Sequence, residues 1–269
     1  MTQSTDWSAQ ERTRAGALAS WLHALRGTGD ANDVAVRAPG RVNLIGEHTD
    51  YNGLPVLPVA IDRSTIVVAS ARNDGLVQIH NRDAAFTPRM FRVSRAIEPY
   101  PAGDWGNYIK AAVQGVVRRC CANDESISRM LGATMVIDGR VPVAAGLSSS
   151  AALMVGSTLA FMALNALEYP PLETSEMIAL SENYVGTMSG GMDQAASIFG
   201  KSNHALLIQF DPLRIDAVAM PRDAALVVAH SHEVADKSGR VRAQYNRRVI
   251  ECKRAAAIVG GALQLDGVN

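Results

Sequence analysis

The segment of residues 38–53 restricts the fold more than any other part of this chain, because charged and polar residues directly flank a short apolar run that predicts a strand. It reads APGRVNLIGEHTDYNG. Its apolar residues predict a strand end, whereas residues 47–50 have no apolar period and predict a loop. Arg41 supplies a permanent positive charge and a fixed fork of donors. Glu47 and Asp50 supply acceptors of the kind that neighbouring hydroxyl groups require, and binding residues are common on such loops.

A solvated turn is an alternative interpretation of this segment, since Asp, Asn and Gly are ordinary turn residues. That interpretation accounts for Asp50 and Gly53. It does not account for Arg41, Glu47 and His48, which are crowded against an apolar run. The segment therefore predicts a binding loop.

A second motif, PVAAGLSSSAA, occupies residues 142–152. It follows a predicted strand at 133–141 and leads into residues 151–167, which are apolar nearly all round and predict a buried helix. A Gly- and Ser-rich turn before a helix directs several backbone N–H groups at one point, and their partial positive charge suits phosphate. The serines at 148–150 also suit plain helix capping. The residues alone leave capping, phosphate binding and magnesium binding open.

A third motif, GGMDQ, occupies residues 190–194 and opens a predicted short helix that ends at Phe199. Asp193 lies in the first turn, where a carboxylate also favours the helix dipole. The chain contains no G-x-G-x-x-G, and residues 200–202 end like a Walker loop that lacks its first glycine. Any nucleotide-binding motif in this chain therefore differs from both the dinucleotide-binding and the Walker patterns.

In this order the three motifs resemble the galactokinases, a family of the GHMP kinases (galacto-, homoserine, mevalonate and phosphomevalonate kinases). Residues 142–152 match the form P-x-x-x-G-L-G/S-S-S-A of the phosphate loop in those kinases. The resemblance implies transfer of the γ-phosphoryl group of ATP to the C1 hydroxyl of galactose, with Asp193 and Arg41 as catalytic residues. The implied binding residues are, for the sugar, Glu47, His48, Asp50, Gly190 and Tyr245 and, for the phosphates, Gly146, Leu147, Ser148, Ser149 and Ser150.

The resemblance extends to the nucleotide base and to magnesium. The run DWGNY at residues 104–108 is similar to the galactokinase segment beside the base, so Trp105 and Tyr108 are candidates for stacking on adenine. An aromatic residue at a helix start is equally a core residue, and both interpretations stay open. Ser150 and Glu182 are the implied magnesium ligands, although Glu182 precedes Asp193 by eleven residues where many galactokinases have twelve.

Two other functions remain open at this point. The same kinase chemistry on N-acetylgalactosamine or arabinose would need the same motifs. A non-catalytic sensor of sugar or ATP is the second alternative, because fold resemblance does not establish activity. An intact set of Arg41, Asp193 and the Ser-rich loop favours the enzyme.

The expected fold class is α+β, because strand patterns dominate the first hundred residues and helix patterns follow. The resemblance implies the two-domain GHMP kinase fold, with a ribosomal protein S5 domain 2-like N-terminal domain and a partial ferredoxin-like C-terminal domain. We expect these domains at residues 1–215 and 216–269. A third glycine-rich motif similar to GAGFGGC is not present in these 269 residues. We therefore expect a truncated or incompletely represented kinase that alone is weakly active or inactive, or else a short chain that covers its exposed strand edge by oligomerising.

Spacing also predicts individual elements. A helix is expected at residues 7–25 and another at 240–259. Separate strands are expected at 54–61 and 65–70, and a further strand at 224–229. A turn is expected at Pro39-Gly40.

Composition restricts the partners and the compartment. With 48% hydrophobic and 19% charged residues the chain can bury a full core. The formal net charge of zero gives no indication of nucleic-acid binding, and no run of about eighteen apolar residues predicts a membrane span. Three cysteines form no disulfide framework, which favours a reduced, cytoplasmic protein. The expected partners are ATP, magnesium and a small sugar, with the protein a monomer or weak oligomer.

Overall fold

The computed structural model describes residues 7–26, 33–121, 124–232 and 240–263. Within these ranges the helices are α1 (Ala9–Arg26), α2 (Gly106–Cys120), α3 (Asp124–Ser128), α4 (Ser149–Leu164), α5 (Pro171–Ser181), α6 (Met192–Phe199) and α7 (Arg240–Ala262). The strands are β1 (Val34–Asn43), β2 (Pro58–Arg72), β3 (Leu76–Asn81), β4 (Arg89–Arg92), β5 (Gly132–Gly139), β6 (His204–Gln209) and β7 (Arg214–Ala219). Short 3-10 helices cover Asp50–Asn52 and Glu182–Val185. The chain is α+β, as predicted.

A five-stranded sheet in the order β1-β2-β5-β3-β4 forms the centre of the molecule. Its neighbours are antiparallel except β3 and β5, which are parallel. Both faces of β2 are covered, so its apolar residues run continuously instead of alternating with polar ones. Ile66 and Val68 pack under α1 against Leu18 and Leu22. Their neighbour Val67 points to the opposite face and packs into the larger core with α2 and α4.

Helix α4 is buried because other elements surround it. It contacts β1 and β2 on one side and α2 and α6 on others. Its residues Met154, Phe161 and Met162 are fully buried. An all-round apolar helix can only be accommodated in such a position, so the sequence prediction of a buried helix is confirmed. Its N-terminus, which carries the Ser-rich motif, opens beside the end of β1.

Two sequence expectations about strands are wrong in this region. Pro39 and Gly40 form no turn; they lie within β1, whose pairing with β2 shifts register between Pro39 and Arg41. The two runs expected at 54–61 and 65–70 are one long strand from Pro58 to Arg72. A bulge in an edge strand tolerates proline, which cannot donate a hydrogen bond to a neighbouring strand. A Pro-Gly pair at such a bulge has the same sequence pattern as a turn, which is why the turn was expected.

The last part of the described chain differs more from expectation. Strands β6 and β7 form a two-stranded antiparallel sheet, joined to the main body by a bridge between Val56 and Ile208. Residues 224–229, expected as a strand, have no regular structure and are exposed, since no neighbouring strand pairs with them in the described chain. The expected boundary between residues 215 and 216 falls inside β7. The division into two domains stays a prediction.

The cysteines at positions 120, 121 and 252 are unbridged. Among the helices that the structure describes, none has both the length and the apolar character to cross a bilayer.

Candidate active site

Arg41 joins the three sequence motifs at one point. It leaves the end of β1 and donates from Nε to Asp193 Oδ1 at 2.7 Å. Its Nη1 donates to the carbonyl oxygen of Gly146 at 2.7 Å, and its backbone N–H donates to the carbonyl oxygen of Leu147 at 3.2 Å. The strand end, the Ser-rich turn and the start of α6 therefore meet around one guanidinium group. Charge-assisted hydrogen bonds of this kind are shorter and stronger than neutral ones.

Gly40 allows this close approach. A Cβ atom at Gly40 would lie 2.6 Å from the carbonyl oxygen of Leu147 and 2.8 Å from a methyl carbon of Val141. Any side chain would separate β1 from the Ser-rich turn. The glycine before Arg41 is therefore a packing requirement of the site.

The Ser-rich turn presents the N-terminus of α4 to a pocket. Ser148 precedes the helix with a positive φ of 61°, and Gly146 has a φ of 71°. The first N–H groups of a helix have no partner within it and attract anions. The Oγ atom of Ser148 is buried and makes no hydrogen bond with the described residues. A polar atom in that state is consistent with an anionic ligand as its partner.

The pocket extends from this helix end to the start of α2. Trp105 and Tyr108 both line it, together with Phe86. Trp105 is also a core residue: it packs edge-on against Phe86, and its indole N–H donates to the carbonyl oxygen of Thr87 at 3.0 Å. Core packing and stacking on a nucleotide base, the two alternatives that the sequence left open for Trp105, are therefore compatible. Other lining residues include Arg41, Asn81, Asp83, Gly146, Leu147, Ser148, Ser149, Ser150, Leu153 and Asp193.

Asp50 and Gly190 form a second region on the other side of Asp193. The N–H of Gly190 donates to Asp50 Oδ2 at 3.2 Å, which ties the first motif to the third. Burial raises the pKa of Asp50 above its ordinary value, and the negative charge of Asp193 raises it further. The two carboxylates are therefore close enough to interact, and Arg41 opposes the effect.

Tyr245 reaches this region from α7. Its ring lies 5.5 Å from that of His48 and 5.6 Å from that of Tyr51. Burial raises the pKa of Tyr245, and the charges of Asp50, Asp193 and Glu182 add to the effect. The hydroxyl group therefore stays protonated near neutral pH and is able to donate. Glu47 and His48 are exposed at the rim of this region.

Comparisons with known proteins match the segments that carry the three motifs. The family model described as galactokinase galactose-binding signature matches residues 27–71, and the GHMP kinases N terminal domain model matches residues 107–201. A galactokinase of Dictyostelium discoideum is 39% identical over 237 residues, which is 86% of this chain and 46% of that protein. A galactokinase of Candida parapsilosis is 35% identical over 244 residues, 88% of this chain and 48% of that protein.

The chain belongs to the galactokinase family of the GHMP kinases. It spans about half the length of the curated relatives it matches. The solved structure of Lactococcus lactis galactokinase complexed with galactose superposes with a TM-score of 0.74 at 27% identity, over 93% of this chain and 62% of that one. Methanococcus jannaschii mevalonate kinase, at 18% identity and a TM-score of 0.56 over 68% of this chain and 56% of that one, shares the fold.

Glu182, one of the two predicted magnesium ligands, lies apart from the pocket that Ser150 lines. Glu182 is 1% exposed and is not among the pocket residues. Its Oε2 atom accepts hydrogen bonds from Gln194 Nε2 at 3.0 Å and from Ser189 Oγ. The described contacts of this carboxylate are with the segment that carries Gly190 and Asp193. Its role as a magnesium ligand stays a prediction.

Sequence reasoning missed the residues that attach α7 to the site. Asn246 and Arg242 bond to the backbone around Gly186, and Tyr51 of the first motif packs edge-on against Tyr245. One signal was available: residues 242, 245, 246 and 249 recur at helical spacing and share one face of α7. Which backbone groups that face contacts could not be inferred from spacing.

Proposed function

We propose that this protein is an ATP-dependent galactose 1-kinase. The observation that carries the proposal is the position of Arg41, which bonds both to Asp193 and to the Ser-rich turn. A phosphate group held by that turn would therefore lie beside the carboxylate that faces the sugar region. Phosphoryl transfer asks a protein mainly for such alignment and for charge stabilisation.

The phosphates of ATP fit the turn at residues 146–150. The pocket lies in front of the backbone N–H groups at the start of α4 and extends to the start of α2. The hydroxyl group of Ser148, which has no hydrogen-bond partner among the described residues, also lines it. Trp105 and Tyr108 offer ring surfaces at that end for the base. The indole N–H of Trp105 is already bonded to Thr87, so its contribution would be stacking.

The sugar fits between the first motif and α7. Asp50, with its backbone-bonded carboxylate, and Tyr245, with its protonated hydroxyl, supply acceptors and a donor for sugar hydroxyl groups. Gly190 brings the backbone of the third motif within contact of Asp50. Glu47 and His48 would complete recognition at the rim.

In the reaction, the C1 oxygen of galactose forms a bond to the γ-phosphorus as the bond to the β,γ-bridging oxygen breaks, and ADP leaves. The C1 hydroxyl proton passes to Asp193 if that residue acts as a general base. The alternative is that Asp193 only orients the hydroxyl group. Arg41, one hydrogen bond away, stabilises negative charge on the transferred group in either case.

Magnesium, when bound, would screen the charge on the β- and γ-phosphates. Ser150 fits as a ligand because it lines the pocket beside the phosphate turn. Glu182 offers the right hard oxygen donors, but its carboxylate is directed to Ser189 and Gln194. The described residues include no group of three or more His, Cys, Asp or Glu placed to hold a metal. A site that phosphate and water complete is of the kind magnesium usually occupies.

The proposal is tested by sugar-dependent ADP release from the purified protein. We expect turnover with galactose in the presence of magnesium, and lower kcat/KM with N-acetylgalactosamine and arabinose. Binding of galactose and ATP without turnover would instead indicate a sensor. Absence of turnover over the whole panel by the full-length protein would contradict the kinase proposal. The unbridged cysteines lead us to propose a cytoplasmic location, which fractionation would check.

We expect Ser150→Ala to raise the magnesium concentration needed for half-maximal activity, because a pocket-lining oxygen ligand is lost. Glu182→Gln should shift that concentration less, since Gln keeps an oxygen acceptor for Ser189 and Gln194. Activity is measured against free magnesium for both variants, with exposed Ser20→Ala as the control. A larger shift in Glu182→Gln than in Ser150→Ala would establish Glu182 as the magnesium ligand.

A further inference from the structure

One face of α7 contacts the rest of the protein through polar groups. Arg242, Tyr245, Asn246 and Val249 are spaced three or four residues apart and share that face. Only Val249, at 2% exposure, is an apolar member of the set. Ile250, by contrast, points to solvent at 56% exposure. Directional hydrogen bonds therefore help to fix the position of α7 on the site, together with the ring packing of Tyr245 and the burial of Val249.

Asn246 makes the central pair of these bonds. Its Nδ2 donates to the carbonyl oxygen of Gly186 at 2.7 Å, and its Oδ1 accepts from the backbone N–H of Met188 at 3.1 Å. Arg242 Nη1 donates to the carbonyl oxygen of Val185 at 2.8 Å. Gly186, with a φ of 80°, ends the 3-10 helix and leaves these groups pointing outward. One amide thus uses both its donor and its acceptor on one backbone turn.

That backbone turn leads directly into the third motif. Gly190, two residues after Met188, donates its N–H to Asp50, and Asp193 follows at the start of α6. On the α7 side, the residue preceding Asn246 is Tyr245, which packs against His48. The Asn246 amide therefore couples two parts of the sugar region that are far apart in sequence.

We propose that Asn246 is a positioning residue for the sugar, which it does not itself touch, and that Arg242 supports it. The inference rests on the proposed function, because it assigns to Asn246 the task of keeping Tyr245 and Gly190 in place on the two sides of the proposed sugar site. Losing the amide would let α7 move relative to residues 185–190. The affinity for the sugar would fall, whereas the phosphate turn at the far side of Arg41 would keep its own contacts.

The test compares Asn246→Ala with Arg247→Ala. Arg247 is the next residue of α7, faces solvent and pairs only with Glu251 among the described contacts. In Asn246→Ala we expect the galactose KM to rise by about tenfold or more, because two hydrogen bonds are lost. The ATP KM should stay within about twofold, and Arg247→Ala should match the wild type.

A third variant, Asn246→Asp, keeps the acceptor for Met188 but turns an anionic oxygen toward Gly186. We expect its galactose affinity, relative to the wild type at the same pH, to improve as pH falls and the acid regains an O–H donor. Asn246→Ala should show no such recovery. A merely structural role would lower the melting temperature in both variants without this pH dependence.

Amide hydrogen exchange gives a readout that needs no activity. The exchange of residues 186–190 should be faster in Asn246→Ala than in the wild type or Arg247→Ala. Faster exchange with an unchanged galactose KM would overturn the positioning role, as would unchanged exchange. A wild-type protein that neither binds nor phosphorylates galactose would overturn the proposed function and the sugar role together, and the exchange result would show separately whether Asn246 holds this turn.

Discussion

Asp193→Asn is expected to lower kcat by ~10²–10⁴-fold, the usual range for loss of a general base. Asparagine has the shape of aspartate but accepts no proton near neutral pH. The galactose KM should change by less than about threefold, because an effect confined to the transition state leaves ground-state binding nearly intact. Steady-state kinetics with varied galactose at saturating ATP measures both values.

The Arg41 contact makes a fold control necessary for this variant. Asp193 is the carboxylate partner of a guanidinium that is largely buried, with a side-chain exposure of 13%. Its neutralisation removes that ion pair, although Arg41 keeps its hydrogen bond to Gly146. Thermal unfolding should therefore be compared with that of Asp62→Asn, whose carboxylate is 92% exposed. An unchanged kcat would reduce Asp193 to a residue that favours the start of α6.

Gly190→Ala is expected to have the second large effect. A Cβ at Gly190 would lie 2.3 Å from the carbonyl carbon of Asp50 and 2.4 Å from the nitrogen of Tyr51. These are backbone atoms, so no side chain can rotate away, and the first motif must separate from the third. The bond from Gly190 to Asp50 would be lost, and the galactose KM should rise by about tenfold or more.

The matched control is Gly16→Ala in α1, where nothing lies within 4 Å of the added Cβ. That variant should keep wild-type kinetics and gain about 0.5–1 kcal/mol of stability from helix propensity. Gly190→Ala should lose about 1–3 kcal/mol through overpacking. Urea unfolding measures the stability of both variants, and steady-state kinetics with varied galactose measures their KM values. Wild-type galactose affinity in Gly190→Ala would show that the two motifs can separate without affecting the site.

The sequence by itself determined which chemical groups the candidate site contains. Arg41 against an apolar run, the Ser-rich turn before a continuous apolar helix and Asp193 at a helix start are local patterns, and each reflects a local physical requirement. A helix that is apolar all round has to be buried, so the burial of α4 followed from its sequence pattern. The meeting of the three motifs was implied by resemblance to the galactokinases.

Other features required the tertiary structure, because their partners are distant in the chain. Glu182 contacts Ser189 and Gln194, and Asn246 contacts Gly186. These contacts depend on how helices and turns pack together, which the periodicity of the sequence does not specify. The strand expected at 224–229 failed for the same reason: β propensity describes a half-buried surface, and only the fold decides whether a neighbouring strand is there to pair. Apolar patterns determine which faces are buried, whereas hydrogen-bond partners are set by the geometry that burial produces.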